Sequence, residues 1–457
     1  MSHIIIIGGG ISGLAAAHHL SEHVHVTLLE ASPRLGGTIQ TEHRDGFLLE
    51  RGPDSFISEK PQALALAKRL GLESRLVQTN EQFRRSFIVR DGRLRAVPEG
   101  FQLLAPSRLW PFITSDIFSL AGKARMAADL LLPRKSTNGT NDESLASFVR
   151  RRLGVEALER MAQPMVGGIY TADPETLSLR ATLPRFLDME RKHRSLILAM
   201  LRQGRAQKIG TSGARYSLFL SFDRGMQVLV DALAQQIKAD VRLNTRAIGL
   251  KRVGSAWTIT TSDGDELRAD AICLALPAYT AASLLTDVHE TLAEKLKRIK
   301  YASTATINFA YRRSAIAHPL NGFGFVVPFV EQRSLLACTF SSVKFSGRAP
   351  DGHVLLRAFA GGALQPEIFA LDEDDMRVRV ETSLRELLGI TEDPLFVEVA
   401  KWKDSMPQYE VGHLERLYEI EKLVSELPGL SLAGNAYRGA GIPDCIRSGE
   451  AAVEMLK

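Results

Sequence analysis

The chain has 457 residues, of which 45% are hydrophobic and 24% charged, the make-up of a globular protein with on the order of three domains. A net charge of +5 is too mild for a nucleic-acid binder, although it suits an anionic ligand or a transient membrane contact. Cys273, Cys338 and Cys445 lie far apart, so neither a disulfide framework nor a metal site is expected, and a reducing, cytoplasmic setting is. No uninterrupted apolar run reaches about eighteen residues, and residues 4–7 are too short for a signal-peptide core.

The first element is "HIIIIGGGISGLAAAHHL", residues 3–20. Ile4, Ile5, Ile6 and Ile7 predict a strand buried on both faces, and from Ile11 onward the residues favour helix. Between them Gly8, Gly10 and Gly13 fit G-x-G-x-x-G, a turn that brings backbone close to a phosphate at a helix N-terminus. A second strand, "HVHVTLLE", ends at Glu30, 20 residues past Gly10, where a carboxylate meets the ribose of an adenine dinucleotide. The bland alternative is a plain turn. His18, His19, His23 and His25 straddle a helix end and a strand, so no metal is expected there. "ASPRLGGTIQT" follows, and its Gly36–Gly37 pair adds a second glycine turn. It is either an ordinary loop or a second approach to a bulky ligand, and with the first turn it favours FAD over NAD.

Further along, residues 60–200 read as mostly helical. Within them "FQLLAPSRLWPFITSDIFSL", residues 101–120, suits a buried helical subdomain or a segment dipping into a membrane surface. "PRKSTNGTND", residues 133–142, is a loop before a helix capped by Asp142 or Ser144. Short strands dominate residues 205–275, in a meander with turns at Gly254 and Asp263–Gly264 and a buried return strand at residues 271–276. Strands continue through residues 300–360, and a strand–glycine–helix unit closes the chain at "GLSLAGNAYRGAGIPDCIRSGEAAVEML". A nucleotide-binding unit at the start and a similar unit at the end imply one domain assembled from distant pieces.

"GGGISGLAAAHHL", "LLEASPRLGGTIQT" and "ERGPDSF" resemble the FAD-dependent amine oxidase superfamily. "GGIYTADPETLSLRATLPRF", "KHRSLI", "DRGMQVLVDAL", "KWKDSMPQYEVGHLERL" and "GAGIPDCIRSGEAAVE" resemble its oxygen-dependent porphyrinogen oxidases, and the likeness runs through the whole chain. The resemblance implies an α/β and α+β fold with a Rossmann-like FAD-binding domain (residues 1–65, 222–290 and 425–457), a mixed-sheet substrate domain (66–92, 180–221 and 291–424) and a helical subdomain (93–179). It places Gly8, Gly9, Gly10, Ile11, Ser12 and Gly13 at the pyrophosphate and Glu30 at the ribose, with Ala31 beside it. Thr38 and Gly52, Pro53, Asp54 and Ser55 would lie on the flavin side, the backbone of Val241 at adenine, and Trp402 beside the isoalloxazine. Gly441, Ile442 and Pro443 would approach the ring at the last helix N-terminus.

The implied reaction converts coproporphyrinogen III or protoporphyrinogen IX to the porphyrin in haem biosynthesis, by repeated hydride transfer to flavin N5, with dioxygen as acceptor and hydrogen peroxide released. No catalytic base is assigned. Gly167, Gly168, Ile169 and Tyr170 are expected to line the substrate pocket. Arg85, with Arg84, Lys192, His193, Arg194 and Lys344, is a candidate for the propionates, against the alternative of a solvated face. "KHRSLI" leans toward coproporphyrinogen. Two departures from the family pattern, Arg224–Gly225–Met226–Gln227 and Thr171–Ala172, bear on the pocket's shape more than on the reaction. The alternatives are an amine or carotenoid oxidase of the same fold, with Trp402 and Tyr437 as an aromatic pair, and a non-catalytic carrier, including one that ferries haem intermediates. The oligomeric state is left open.

Overall fold

The isoleucine run, strand His3–Ile7, sits at the centre of a five-stranded parallel sheet. Its neighbours are His25–Leu29 and Ala271–Leu274, flanked in turn by Asp240–Arg242 and Leu430–Leu432. The computed structural model describes residues 2–20, 24–135, 142–209 and 218–456. His23 and most of the loop read at residues 133–142 therefore lie outside the described residues.

Alternation along the central strand explains why all four isoleucines are needed. Ile4 and Ile6 pack with helices Ile11–Leu20, Gln227–Gln236 and Ile442–Glu454. Ile5 and Ile7 face the other way, toward helices Ala278–Leu285, Glu290–Lys297 and His413–Ser425. Each such side chain contributes about 2 kcal/mol by leaving water. A three-stranded antiparallel meander, Ala247–Val253, Ala256–Thr261 and Glu266–Ala269, packs on that second face, with Gly254 and Gly264 at positive φ in its turns. The five parallel strands come from residues 3 to 432, so this sheet draws on distant pieces of the chain.

A second sheet has seven strands. Its order is Phe396–Pro407, Tyr301–Arg312, His353–Gly361, Ala337–Phe340, Gly324–Val326, Phe87–Arg90 and Arg93–Ala96. Ala305, Ile307, Phe309 and Tyr311 bury one face against helix Glu373–Leu388. The alternate residues Thr306 and Asn308 reach across the other face to the carbonyls of Arg51 and Glu50. Strand Tyr301–Arg312 thus joins the large sheet to the turn at residues 50–55.

The helical expectation for residues 60–200 needs correction. Residues 87–90 and 93–96 form an antiparallel hairpin on the large sheet, because Phe87, Ile88 and Val89 are wanted in two different cores. Helices dominate from Leu109 onward, around a third core containing Phe148, Phe186, Met161 and Met200. Ser144, not Asp142, caps helix Leu145–Arg152, by accepting the Ser147 N–H. At the heart of this subdomain Arg152 and Asp129 form a fully buried ion pair. The segment "KHRSLI" serves it: the Ser195 hydroxyl and Ile197 N–H donate to Asp129, and the Arg194 carbonyl accepts from Arg152. Without these partners the pair would carry a desolvation cost of several kcal/mol per ion.

Candidate cofactor and substrate site

The three motif glycines do three different jobs. A Cβ on Gly8 would stand 2.4 Å from the Ala275 carbonyl oxygen, and Gly8 itself has φ +110°. One on Gly13 would stand 1.8 Å from the Gly8 carbonyl oxygen, so the helix can lie this close to the strand only with glycine there. Around Gly10 there is open space within 4 Å. The Leu14 N–H bonds back to the Gly10 carbonyl at 2.9 Å, so the N–H groups of Ile11, Ser12 and Gly13 precede the helical ladder. Open space beside free donors at a helix N-terminus is what a pyrophosphate requires.

Glu30 anchors the neighbouring strand end. One carboxylate oxygen accepts the Gly9 N–H at 2.6 Å and the other the Ser32 N–H at 2.8 Å. Each oxygen keeps a lone pair for a hydroxyl. Val241 lies on the adjoining edge strand, paired with Leu28, and Ala31 is exposed. The second glycine turn packs directly on the first: the Gly36 N–H donates to the Gly9 carbonyl at 2.8 Å. Arg34, to which the sequence reading gave no role, holds that turn by donating to the carbonyls of Leu35, Gly37 and Ile39. Burial pulls its guanidinium below the ordinary arginine range.

The turn at residues 50–55 sits over a buried charge cluster. Lys344 Nζ donates to Asp54 Oδ2 at 2.9 Å and to Ser55 Oγ at 3.3 Å. Arg357 donates to the Gly52 carbonyl and stands 3.7 Å from Asp54. Burial alone would raise the Asp54 carboxyl, but Lys344 and Arg357 hold it well below the usual carboxylate range. Glu50, wholly buried, is pushed up to about 7 by desolvation, against hydrogen bonds from the Met226 N–H and the Thr41 hydroxyl. Arg348, also buried, donates to Ser221 Oγ and the Phe222 carbonyl. Trp402 donates its Nε1–H to the Arg51 carbonyl at 2.8 Å, which fixes the indole against the same turn. Thr38 is exposed and Pro53 half-buried beside it.

Gly441 caps the last helix, Ile442–Glu454, with no side-chain acceptor, and Ile442 and Pro443 behind it are buried. Asp444 in its first turn is buried and paired with Lys60 at 2.5 Å and Arg447 at 3.0 Å. At the candidate substrate side, helix Gln163–Tyr170 follows a π-helical turn, Leu158–Ala162, a feature frequent at functional sites. Gly168 and Ile169 are exposed at its end, and a Cβ on Gly168 would meet nothing nearer than Val326 at 3.8 Å. Gly167 is buried beneath them. Tyr170 donates to the Thr182 carbonyl, and burial followed by the charge of Asp444 pushes its phenol up to about 12.

The basic candidates separate. Arg84, Arg85 and Lys192 present exposed side chains, and His193 is half-buried. Arg194 instead donates to the Leu130 carbonyl, and Lys344 is engaged by Asp54. Tyr437 is buried in the core behind the parallel sheet, and Trp402 is half-buried. Sequence reasoning passed over Glu50, Arg348 and Arg357. For Glu50 and Arg357 the available signal was a lone charge in an apolar strand, "FLLE" and "HVLLRAFAG"; Arg348, in the loop "SGRAP", carried none.

Comparison with known proteins follows the same lines. The family profile described as "Flavin containing amine oxidoreductase" matches residues 11–456. The coproporphyrinogen III oxidase of Bacillus subtilis is 37% identical over 99% of this chain and 97% of its own length. The chloroplastic protoporphyrinogen oxidase of Nicotiana tabacum is 31% identical over 97% of this chain and 83% of its own. A crystal structure of a candidate protoporphyrinogen oxidase from Exiguobacterium sp. 255-15 superposes with a TM-score of 0.88 at 32% identity, covering 99% of this chain and 98% of the other.

Proposed function

Because the chain belongs to the flavin-containing amine oxidoreductase family, we propose that it oxidises a porphyrinogen to the porphyrin in haem biosynthesis, with coproporphyrinogen III as the preferred substrate and dioxygen as the final acceptor. The observation that carries this reading is full-length likeness to porphyrinogen oxidases on a frame that keeps the cradle at Gly10 open and Glu30 at the next strand end. FAD is the cofactor, and when bound it supplies the two-electron acceptor that the side chains lack.

The chain's own residues bind, orient and exclude water. Gly8, Gly9, Gly10, Ile11, Ser12 and Gly13 hold the pyrophosphate through backbone N–H groups, and Glu30 takes the ribose hydroxyls. Gly52, Asp54 and Ser55 stay fixed because Lys344 and Arg357 neutralise the turn from beneath. Trp402 closes one side and the N-terminus at Gly441 the other. Gly168 and Ile169 form the wall of an apolar substrate chamber, with Arg85 as a surface partner for a propionate. The core position of Tyr437 weighs against the amine-oxidase alternative.

The direct test incubates the purified holoenzyme with coproporphyrinogen III, protoporphyrinogen IX and common amines, following porphyrin fluorescence and peroxide. Coproporphyrin formation is expected to be fastest. Peroxide from an amine, with no porphyrin formed, would overturn the assignment.

A second part of the proposal concerns location. Among the described residues no helix is long and apolar enough to cross a membrane. Yet Trp110 is 74% and Leu120 84% exposed, with Leu109 and Ile113 exposed nearby, while Phe112, Ile117 and Phe118 from the same stretch are buried. Scattered single apolar residues need no explanation; this group on helices Leu109–Thr114 and Leu120–Ala127 is proposed to rest on a lipid surface. Co-sedimentation with phosphatidylglycerol vesicles should fall severalfold in the Trp110→Ser, Leu120→Ser double variant. Equal pelleting of both proteins excludes this surface.

A further inference from the structure

Between strand Phe396–Pro407 and helix His413–Ser425 runs the segment "QYEVG", residues 408–412. Besides the contacts of Gln408 and Glu410 with Lys300, it reaches two distant partners. On one side it is stitched to the helical subdomain. Ser178 donates its N–H to the Tyr409 carbonyl at 2.7 Å, and Val411 donates to the Thr176 carbonyl at 2.9 Å. Asp142 accepts both the Gly412 N–H, at 3.1 Å, and the Ser178 hydroxyl.

On the other side the segment grips the loop at residues 435–441, which leads into the last helix. The Tyr409 hydroxyl donates to the Asn435 carbonyl and accepts the Gly439 N–H at 2.9 Å. His413 Nε2–H donates to the Tyr437 carbonyl at 2.8 Å. The two rings stack at 4.3 Å between centroids and 18° between planes. Both side chains are at least 98% buried. The remaining contacts tighten the same loop. Asp444 lies so close that a Cβ on Gly439 would stand 2.4 Å from its carboxyl carbon, Arg447 donates to the Arg438 carbonyl, and Asn435 donates to the Ser405 carbonyl on the strand that carries Trp402.

We propose that Tyr409 and His413 are positioning residues: they set the loop at residues 435–441 against the flavin and tie its position to the substrate-side helical subdomain. The inference rests on the flavoprotein reading above. A side chain that only filled core space would not need a hydroxyl bonded twice to loop backbone, nor a neutral imidazole donating to a third loop residue. A porphyrinogen held beside helix Gln163–Tyr170, as proposed above, would press on the helical subdomain, which the Ser178–Tyr409 hydrogen bond links to the segment gripping the loop.

The test is Tyr409→Phe, which keeps the ring and the stack and removes only the hydroxyl. Coproporphyrin, the redox-inert product, is titrated into wild-type and variant holoenzymes while the flavin absorbance is recorded. Wild type should show a product-induced shift of the flavin bands, and the variant should lose most of it while still binding the product. Turnover is expected to fall roughly tenfold with KM within about twofold. His413→Gln, which retains an N–H donor, should preserve more of the shift than His413→Leu. If Tyr409→Phe matches wild type in shift and turnover, the positioning role is wrong even though the enzyme works. If the wild-type protein holds no flavin, it is the flavoprotein reading that has failed.

Discussion

The turn at residues 8–13 and the helix end at residues 167–170 both carry glycines, and they use them in opposite ways. At Gly13 a single methyl would be forced to 1.8 Å from a backbone oxygen, whereas at Gly168 it would meet only a valine methyl at 3.8 Å. The cradle is a backbone device: its glycines let strand, turn and helix approach one another, and its one opening is at Gly10. The helix end, the proposed substrate side, is a surface device, in which glycine leaves open space outside the chain. A substitution in the first should break the fold and the cofactor site together. In the second it should touch only what enters the chamber.

The sharpest break of that comparison is Gly13→Ala. The Gly8 carbonyl cannot move without carrying the central strand with it, so a loss on the order of 3 kcal/mol or more is expected. The purified variant should carry less than about a tenth of the wild-type flavin, read from the ratio of visible to protein absorbance, with a depressed melting temperature. Gly168→Val comes next. It should retain wild-type flavin and melting temperature while turnover drops roughly a hundredfold, as when a bound substrate is displaced by about an ångström. Loss of flavin in this second variant would place the helix end within the structural frame and dissolve the contrast.

How much of this was legible in advance follows the same divide. Backbone devices write themselves into sequence, because only glycine tolerates the approach at Gly8 and Gly13 and only an apolar run suits a strand buried on both faces. Hence the parallel sheet, its assembly from distant pieces and the meander at residues 247–269 could be read from patterns. Side-chain devices were harder. Arg357 stands alone in "HVLLRAFAG", and nothing local says that its partners are Gly52 and Asp54. Lys344 read as a propionate ligand because an isolated lysine shows a charge but not the aspartate, 290 positions away, that engages it. Arg194 in "KHRSLI" read as a propionate candidate, yet its carbonyl and the Ser195 hydroxyl attend a buried ion pair. The hairpin at residues 87–96 was masked by flanking arginines that broke the apolar alternation.

The turn at residues 50–55 and the segment leading into helix His413–Ser425 bury charge differently, and mild acid separates them. Beneath the cradle-side turn, Lys344 and Arg357 keep Asp54 ionised, so its contribution to stability persists until the pH falls below the ordinary carboxylate range. In the linking segment, His413 is kept neutral: burial, with Arg416 and Arg438 nearby, outweighs the Tyr437 carbonyl and Asp142 and lowers its pKa from 6.5 to about 4. The unfolded chain therefore binds a proton below pH 6.5 that the native state refuses until about pH 4. The stabilisation from His413 is complete above that upper value and is lost as the pH falls between the two. Each pH unit within the window removes about 1.4 kcal/mol. In urea unfolding, the advantage of wild type over His413→Gln should shrink by about 2 kcal/mol between pH 7 and pH 5. A constant difference over that interval would mean that the native ring takes up its proton at the same pH as the unfolded chain, so that no neutral His413 stacks on Tyr409 at pH 5.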